Sequence, residues 1–192
     1  FAFESHRKAV EAMESGRFND EIIPVEIKKR KETITVSKDE GPRKDTSIEK
    51  LSSLRPVFKE GGSVTAGNAS SLNDGASIVM VVSKDFLDKH NLKPLAQITG
   101  AAVKGLHPNT MGLGPVESTK ELCRKFGMTP QDFDVVELNE AFAAQSLGCL
   151  KELEIDPKIV NLNGGSIALG HPLGCSGARI LTTLVHIMSK NG

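Results

Sequence analysis

The chain has 192 residues, 39% hydrophobic and 25% charged, an ordinary balance for a globular protein. Its 24 basic and 24 acidic side chains cancel, so nothing global points to nucleic acid or to an anionic membrane. No apolar run is long enough to span a bilayer, and the charged start from Phe1 to Gly16 does not read as a signal peptide.

The three cysteines, Cys123, Cys149 and Cys175, form no C-x-x-C pair. That fits a reducing, cytoplasmic setting and argues against a disulfide framework or a zinc knuckle. The five histidines, His6, His90, His107, His171 and His186, have no metal-ligand spacing, so no metal site is expected. A chain that opens on Phe rather than Met reads as a piece of a longer protein.

Phe1 to Ser15 predicts a helix ended by Gly16. Glu4 with Lys8 and Arg7 with Glu11 are i,i+4 pairs on one face, and Ala9 and Met13 lie on the other. Ile22 to Ile27 and Thr33 to Val36 predict strands of a hairpin across Lys28-Lys29-Arg30-Lys31. That basic run reads either as a solvated turn or as part of an anionic ligand site. Ser47 to Leu54 predicts a short helix stopped before Pro56. With few large apolar residues, this first third is expected to lie on a larger domain rather than fold alone.

Gly61 to Gly75 is almost entirely small or polar, which lets something bulky approach the backbone; an ordinary long loop is the alternative. Ala76 to Val82 then predicts a strand buried on both faces, and Ser83 caps a helix through His90. Leu95 to Val103 is strand-like. A helix with Pro115 near its first position runs to Phe126, with Val116, Leu122, Cys123 and Phe126 as its stripe, and Gly127 ends it.

Val135 to Leu138 predicts a strand ending at Asn139. Glu140 to Leu153 predicts a helix with Phe142, Leu147 and Leu150 inward. Ile159 to Leu162 is a second such strand, ending at Asn163. A loop holding Gly164, Gly165, Gly170 and Gly174 around His171 follows, then a nearly apolar helix from Ser176 to about Ser189 that should be buried. Strands and helices alternating through short turns predict parallel βαβ units, whose strand ends share one edge. Ligands bind at that edge, so Asn139 and the loop around His171 are expected to meet there.

Each candidate has a plain alternative. Asn139 could simply cap the following helix. His171 could be structural. Cys175 precedes a helix N-terminus, where a thiolate is favoured, but no base is near it in sequence. Arg179 could pair with a carboxylate such as Glu140 or be solvated.

Asn139-Glu140-Ala141-Phe142-Ala143, followed by Gly164-Gly165-Ser166-Ile167-Ala168-Leu169-Gly170-His171-Pro172-Leu173-Gly174-Cys175-Ser176-Gly177-Ala178-Arg179, resembles the thiolase family. Val64 to Ser70 and Met111 to Pro115 resemble thiolase motifs in the right order. The resemblance implies an α/β, thiolase-like fold: parallel or mixed sheets with covering helices in a layered αβαβα arrangement, plus an irregular α+β loop domain. Residues 1–72 would be the loop domain over CoA, 73–93 the end of the N-terminal core domain, and 94–192 an incomplete C-terminal core domain.

The activity implied is thioester Claisen condensation of acetyl-CoA to acetoacetyl-CoA and the reverse thiolysis of 3-ketoacyl-CoA. By resemblance, His171 is the base that activates a cysteine, and Asn139 holds a water that helps form an oxyanion hole. Ser70 and Ala66 would meet pantetheine; Phe58, Met111 and Phe142 would line its tunnel; Arg43 would meet the nucleotide end. CoA and acyl-CoA would be substrates, with no cofactor permanently bound, and the full-length enzyme would be a homodimer or homotetramer. The family's nucleophilic cysteine and its second catalytic cysteine match none of Cys123, Cys149 and Cys175, so the fragment alone is expected to be inactive. Ser71 also stands where the family has a glycine. The alternative reading is a non-catalytic CoA-binding protein on the same scaffold.

Overall fold

The computed structural model describes residues 1–191. Helix α1, Ala2–Glu14, buries Ala2, Ser5, His6, Ala9 and Ala12, a stripe of mostly small side chains at helical spacing. Gly16, at φ +73°, turns the chain after it. On the outer face Arg7 pairs with Glu4 at 2.8 Å and with Glu11 at 3.0 Å. Lys8 does not pair with Glu4. Its Nζ donates to the Val160 carbonyl at 2.8 Å, because the helix lies against that strand.

Strands β1, Val25–Lys28, and β2, Thr33–Val36, form the expected antiparallel hairpin, with Val25 opposite Val36 and Lys28 opposite Thr33. Both strands are largely exposed, as befits a two-stranded ribbon. Helix α2, Ile48–Ser52, starts at Ser47, whose hydroxyl accepts from the Lys50 N–H at 3.2 Å. Helix α3, Lys84–His90, is capped in the same way by Ser83 and closed by Asn91 in the left-handed region.

Helix α4, Gly114–Phe126, ends at Gly127 with φ +64°. It packs Val116 against α5, Ala143–Leu153. These two helices, with Phe1 from the start of the chain, enclose the main core: Val116, Cys149, Leu150, Leu153, Ile155 and Val160. Burying a side chain such as Leu150 contributes about 1.5–3 kcal/mol. Leu147 instead faces out, 52% exposed. Helices α6, Ser166–Leu169, and α7, Ser176–Asn191, complete the chain. Of α7's described side chains only Ser176, Thr183 and Ile187 are fully buried; Met188 is exposed. One side of the helix therefore faces away from the rest of the chain.

The predicted strands at Val135 to Leu138 and Ile159 to Leu162 shrink to a single isolated parallel bridge. Val136 pairs with Val160, with Val136 N–H donating to the Ile159 carbonyl and Asn161 N–H to the Val136 carbonyl, both at 2.9 Å. The other two apolar runs differ from expectation. Ala76 to Val82 is neither paired nor buried: Ile78 is 92% exposed, and Met80 and Val81 are also open. Leu95 to Val103 is likewise unpaired, with Leu95, Ile98 and Val103 exposed. An apolar run becomes a ladder strand only where another strand lies beside it. Among the described residues none lies beside these two. The first is tied instead to α7, through a 2.8 Å hydrogen bond between the Ser77 and Thr182 hydroxyls.

Candidate active site

The site begins where the parallel pair ends. Asn161 sits at φ +46° and turns its side chain back onto the neighbouring strand. Its Oδ1 accepts from the Leu138 N–H and its Nδ2 donates to the Leu138 carbonyl, both at 2.8 Å. A side chain thus completes the ladder that the backbone has left, and fixes the residues that follow Leu138.

Glu140 is the second fixed point. It is 2% exposed, yet its carboxylate is fully engaged. It accepts from Ser5 Oγ at 2.6 Å, from Asn161 Nδ2 at 2.8 Å and from the Ile167 N–H at 3.2 Å. A buried carboxylate is tolerated only with such donors. Gly165 passes over it so closely that a Cβ there would stand 2.1 Å from the carboxyl carbon. The Gly165 N–H donates to Ser5 Oγ at 3.1 Å, so α1, the Asn139 turn and the glycine loop are locked to one another.

On this base Asn139 and His171 meet. Gly170, at φ +95°, turns the chain out of α6 and against Asn73, and the His171 N–H donates to the Ser71 carbonyl at 3.1 Å. The Nε2 of His171 lies 3.3 Å from Asn139 Nδ2. Its Nδ1 lies 2.6 Å from Ser176 Oγ, at the start of α7. Asn139 Oδ1 accepts from Ser166 Oγ at 2.6 Å, and Ser166 Oγ accepts in turn from Arg179 Nη2 at 3.4 Å. The cap reading of Asn139 does not hold. Helix α5 starts at Ala143 with Phe142 in the cap position, so the Asn139 amide is free for the loop partners.

Arg179 does not pair with Glu140, whose oxygens are already taken. Its Nη1 lies 3.8 Å from Glu137 Oε2, too far for a hydrogen bond. Both Glu137 oxygens are buried without a hydrogen-bond partner. Burial pushes the Glu137 carboxyl up to about 8; Arg179 pulls it down, but less, and Glu140 and Glu21 add to the rise.

The small-residue loop is stitched to the same turn. Ser70 donates to the Ala141 carbonyl from its N–H at 3.0 Å and from its Oγ at 3.1 Å. The Ala143 N–H donates to Asn68 at 2.8 Å, and Ala69 pairs with Phe142. Phe58 stands edge-on to Phe142 with ring centroids 6.1 Å apart. Ser70, Phe142 and Phe58 are therefore brought together with Asn139. Ala66 lies exposed in the same loop. Met111, 74% exposed, rides on a 3-10 turn held to α5 by the Cys149 thiol donating to the Gly112 carbonyl. Arg43 is apart from this group: its backbone N–H donates to His6 Nδ1 at 3.1 Å and its side chain is exposed.

The three cysteines are free and buried. Burial pushes the thiols of Cys123 and Cys149 up, away from the thiolate a nucleophile needs. No His, Cys, Asp and Glu cluster among the described residues could hold a metal, and no described helix is long and apolar enough to cross a membrane.

A family model described as the thiolase N-terminal domain matches residues 1–85, and one described as the thiolase C-terminal domain matches residues 92–192. The chain belongs to the thiolase family.

A probable acetyl-CoA acyltransferase of Staphylococcus aureus (strain MRSA252) is 51% identical over 187 residues, 97% of this chain and 48% of that protein. An acetyl-CoA acetyltransferase of Syntrophomonas wolfei is 50% identical over 194 residues, covering all of this chain and 49% of its own. The crystal structure of Bacillus anthracis acetyl-CoA acetyltransferase matches the whole chain with TM-score 0.97 at 46% identity, over 48% of its own length. Human mitochondrial 3-ketoacyl-CoA thiolase in complex with CoA matches with TM-score 0.88 at 44% identity, over 47% of its own length. The fold is accordingly the thiolase-like α/β fold, and the chain spans about half the length of the relatives it matches.

Within this thiolase chain the residues that the sequence did not single out are Ser5, Glu137, Asn161, Ser166 and Ser176. Two left a signal. Ser166 and Ser176 are hydroxyls five positions on either side of His171, in a stretch otherwise glycine-rich and apolar. Ser5, Glu137 and Asn161 left none, since their partners lie far away in the chain.

Proposed function

We propose that this chain carries the histidine and asparagine half of an acyltransferase site. The enzyme condenses acetyl-CoA to acetoacetyl-CoA and, in reverse, cleaves 3-ketoacyl-CoA with CoA. One observation carries the reading: Asn139 Nδ2 and His171 Nε2 stand 3.3 Å apart at the ends of the parallel pair, on a rigid base. Support also comes from relatives named acetyl-CoA acyltransferase and from a similar thiolase whose crystal structure contains CoA.

The chemistry follows from the two groups. A thiol gives its proton to the lone pair on His171 Nε2, and its sulfur attacks the thioester carbonyl carbon. The carbonyl π electrons move to oxygen. The new Nε2–H and the Asn139 Nδ2–H are then two donors beside one point, suited to the oxyanion and to the enolate of acetyl-CoA. When the oxyanion collapses, the carbon–sulfur bond to CoA breaks and the leaving thiolate takes the proton from Nε2. The acyl-accepting cysteine thiolate is proposed to lie outside these 192 residues, because Cys123 and Cys149 are buried in helix packing and Cys175 is buried at the start of α7.

Ser70 and Ala66 are proposed to meet pantetheine, Phe58, Phe142 and Met111 to line its channel, and Arg43 to meet the nucleotide end of CoA. Residues 1–72 are proposed to form the loop domain over CoA, 73–93 the end of the N-terminal core and 94–192 the C-terminal core. CoA comes and goes as substrate rather than staying bound. The intact enzyme is proposed to be a cytoplasmic homodimer or homotetramer. The test is to incubate the intact enzyme with acetoacetyl-CoA and CoA and follow acetyl-CoA. Two acetyl-CoA per acetoacetyl-CoA consumed is expected. No turnover of acetoacetyl-CoA or of a longer 3-ketoacyl-CoA overturns the reading.

A further inference from the structure

The polar contacts around His171 form one continuous chain, with a pure donor, Arg179, at one end and a pure acceptor, the Pro172 carbonyl, at the other. Arginine has five N–H donors and no acceptor. Arg179 Nη2 faces Ser166 Oγ, so at that contact the hydroxyl can only accept. The Ser166 proton must then go to its other neighbour, the Asn139 side chain at 2.6 Å, and the atom there must be the carbonyl Oδ1. That choice puts the Asn139 NH2 toward His171. An NH2 can only donate, so Nε2 must present its lone pair. The imidazole proton is left on Nδ1, where it is donated to Ser176 Oγ at 2.6 Å. The Ser176 hydroxyl passes the sense on, donating to the Pro172 carbonyl at 3.1 Å.

We infer that Arg179 and Ser166 are positioning residues that fix the orientation of the Asn139 amide and, through it, hold His171 as the tautomer with an unprotonated Nε2. Glu137 lies 3.8 Å from Arg179 Nη1 while Nη2 faces Ser166, and Ser166 is wholly buried, so bulk water does not substitute in the relay. Without Arg179 and Ser166 the amide can rotate by half a turn. Oδ1 would then face Nε2, and the favoured tautomer would carry its proton on Nε2, where it can take none from a thiol. Of the remaining contacts only the 3.1 Å bond from Ser176 to the Pro172 carbonyl opposes the reversal, and Ser176 would give it up to donate its proton to Nδ1 across the shorter 2.6 Å contact.

The tautomer assignment stands on these contacts alone, while its effect on turnover rests on the acyl-transfer reading above. Neutron diffraction from crystals of the intact enzyme at pH 8 tests the first. Deuterium on His171 Nδ1, with the Asn139 ND2 group toward Nε2, is expected; deuterium on Nε2 overturns the inference. Kinetics test the second. Ser166→Ala is expected to lower kcat by about tenfold or more while KM for acetoacetyl-CoA stays within about twofold. Arg179→Leu should do the same, and Ser166→Ala serves where the loss of Arg179 prevents folding.

The discriminating measurement is the double-mutant cycle. In an Asn139→Ala background Ser166→Ala should cost less than about twofold, since it acts only through the amide. An equal loss in both backgrounds, or an unchanged kcat in the single variant, overturns the positioning role. An intact enzyme that crystallises in the expected tautomer but turns over no acyl-CoA refutes the acyl-transfer reading and upholds the polarity.

Discussion

Asn139 Nδ2 lies 3.3 Å from His171 Nε2, although 32 positions separate the two residues. Neither is held by its own neighbours alone. Asn139 is held by Ser166, and His171 by Ser176 and the Ser71 carbonyl. The proposed base and the proposed donor are therefore held side by side by the fold before any substrate arrives.

For that pair the expectation is unequal loss. In the intact enzyme His171→Ala should lower kcat for acetoacetyl-CoA thiolysis by about 10²–10⁴-fold, since it removes the base itself. Asn139→Ala removes one donor and should cost less, while thermal unfolding stays close to wild type. Steady-state rates of both variants check this, and wild-type turnover by His171→Ala would exclude it as the base.

Glu137 makes stability depend on pH. Its carboxyl titrates near 8 in the fold against 4.5 as an ordinary glutamate. The folded state therefore binds the extra proton between those values, and stability falls as pH rises through that window. The contribution is full below about pH 4.5 and gone above about pH 8, a change of order a few kcal/mol. Glu137→Gln abolishes it. The variant should gain stability relative to wild type between pH 5.5 and pH 8.5, read as the difference in Tm. Glu21, also raised by burial, is coupled to Glu137, so the difference reports the loss of Glu137 together with its effect on Glu21. A gap that is the same at both pH values would contradict the assignment.

Gly165 is required by space. A methyl group there would stand 2.1 Å from the Glu140 carboxyl carbon, which cannot retreat while three donors hold it. Gly165→Ala should destabilise the intact protein by about 3 kcal/mol. Denaturant unfolding measures it, and a loss below about 0.5 kcal/mol would mean that Glu140 moves freely.

How far the sequence reached depended on whether the signal was local. Hairpin β1–β2, the cap at Ser83 and the stop at Gly127 were legible because backbone preference, hydroxyl caps and glycine act within a few residues. Asn139 and His171 were legible as neighbours because parallel strands share an edge, and the Val136 to Val160 pairing bears that topology out. Ala76 to Val82 and Leu95 to Val103 were misread as buried strands, since apolar composition cannot say whether a partner strand lies alongside.

By itself, then, the sequence determined the longer helices, the hairpin, the family and the two candidate residues whose side chains meet. Only the tertiary structure decided what holds them. Glu140 went to Ser5 and Asn161 rather than to Arg179, and Arg179 went to Ser166 while staying 3.8 Å from Glu137. The physical reason is that a buried polar group takes whichever partner the packed chain brings within hydrogen-bond reach, and no pattern along the sequence encodes that proximity.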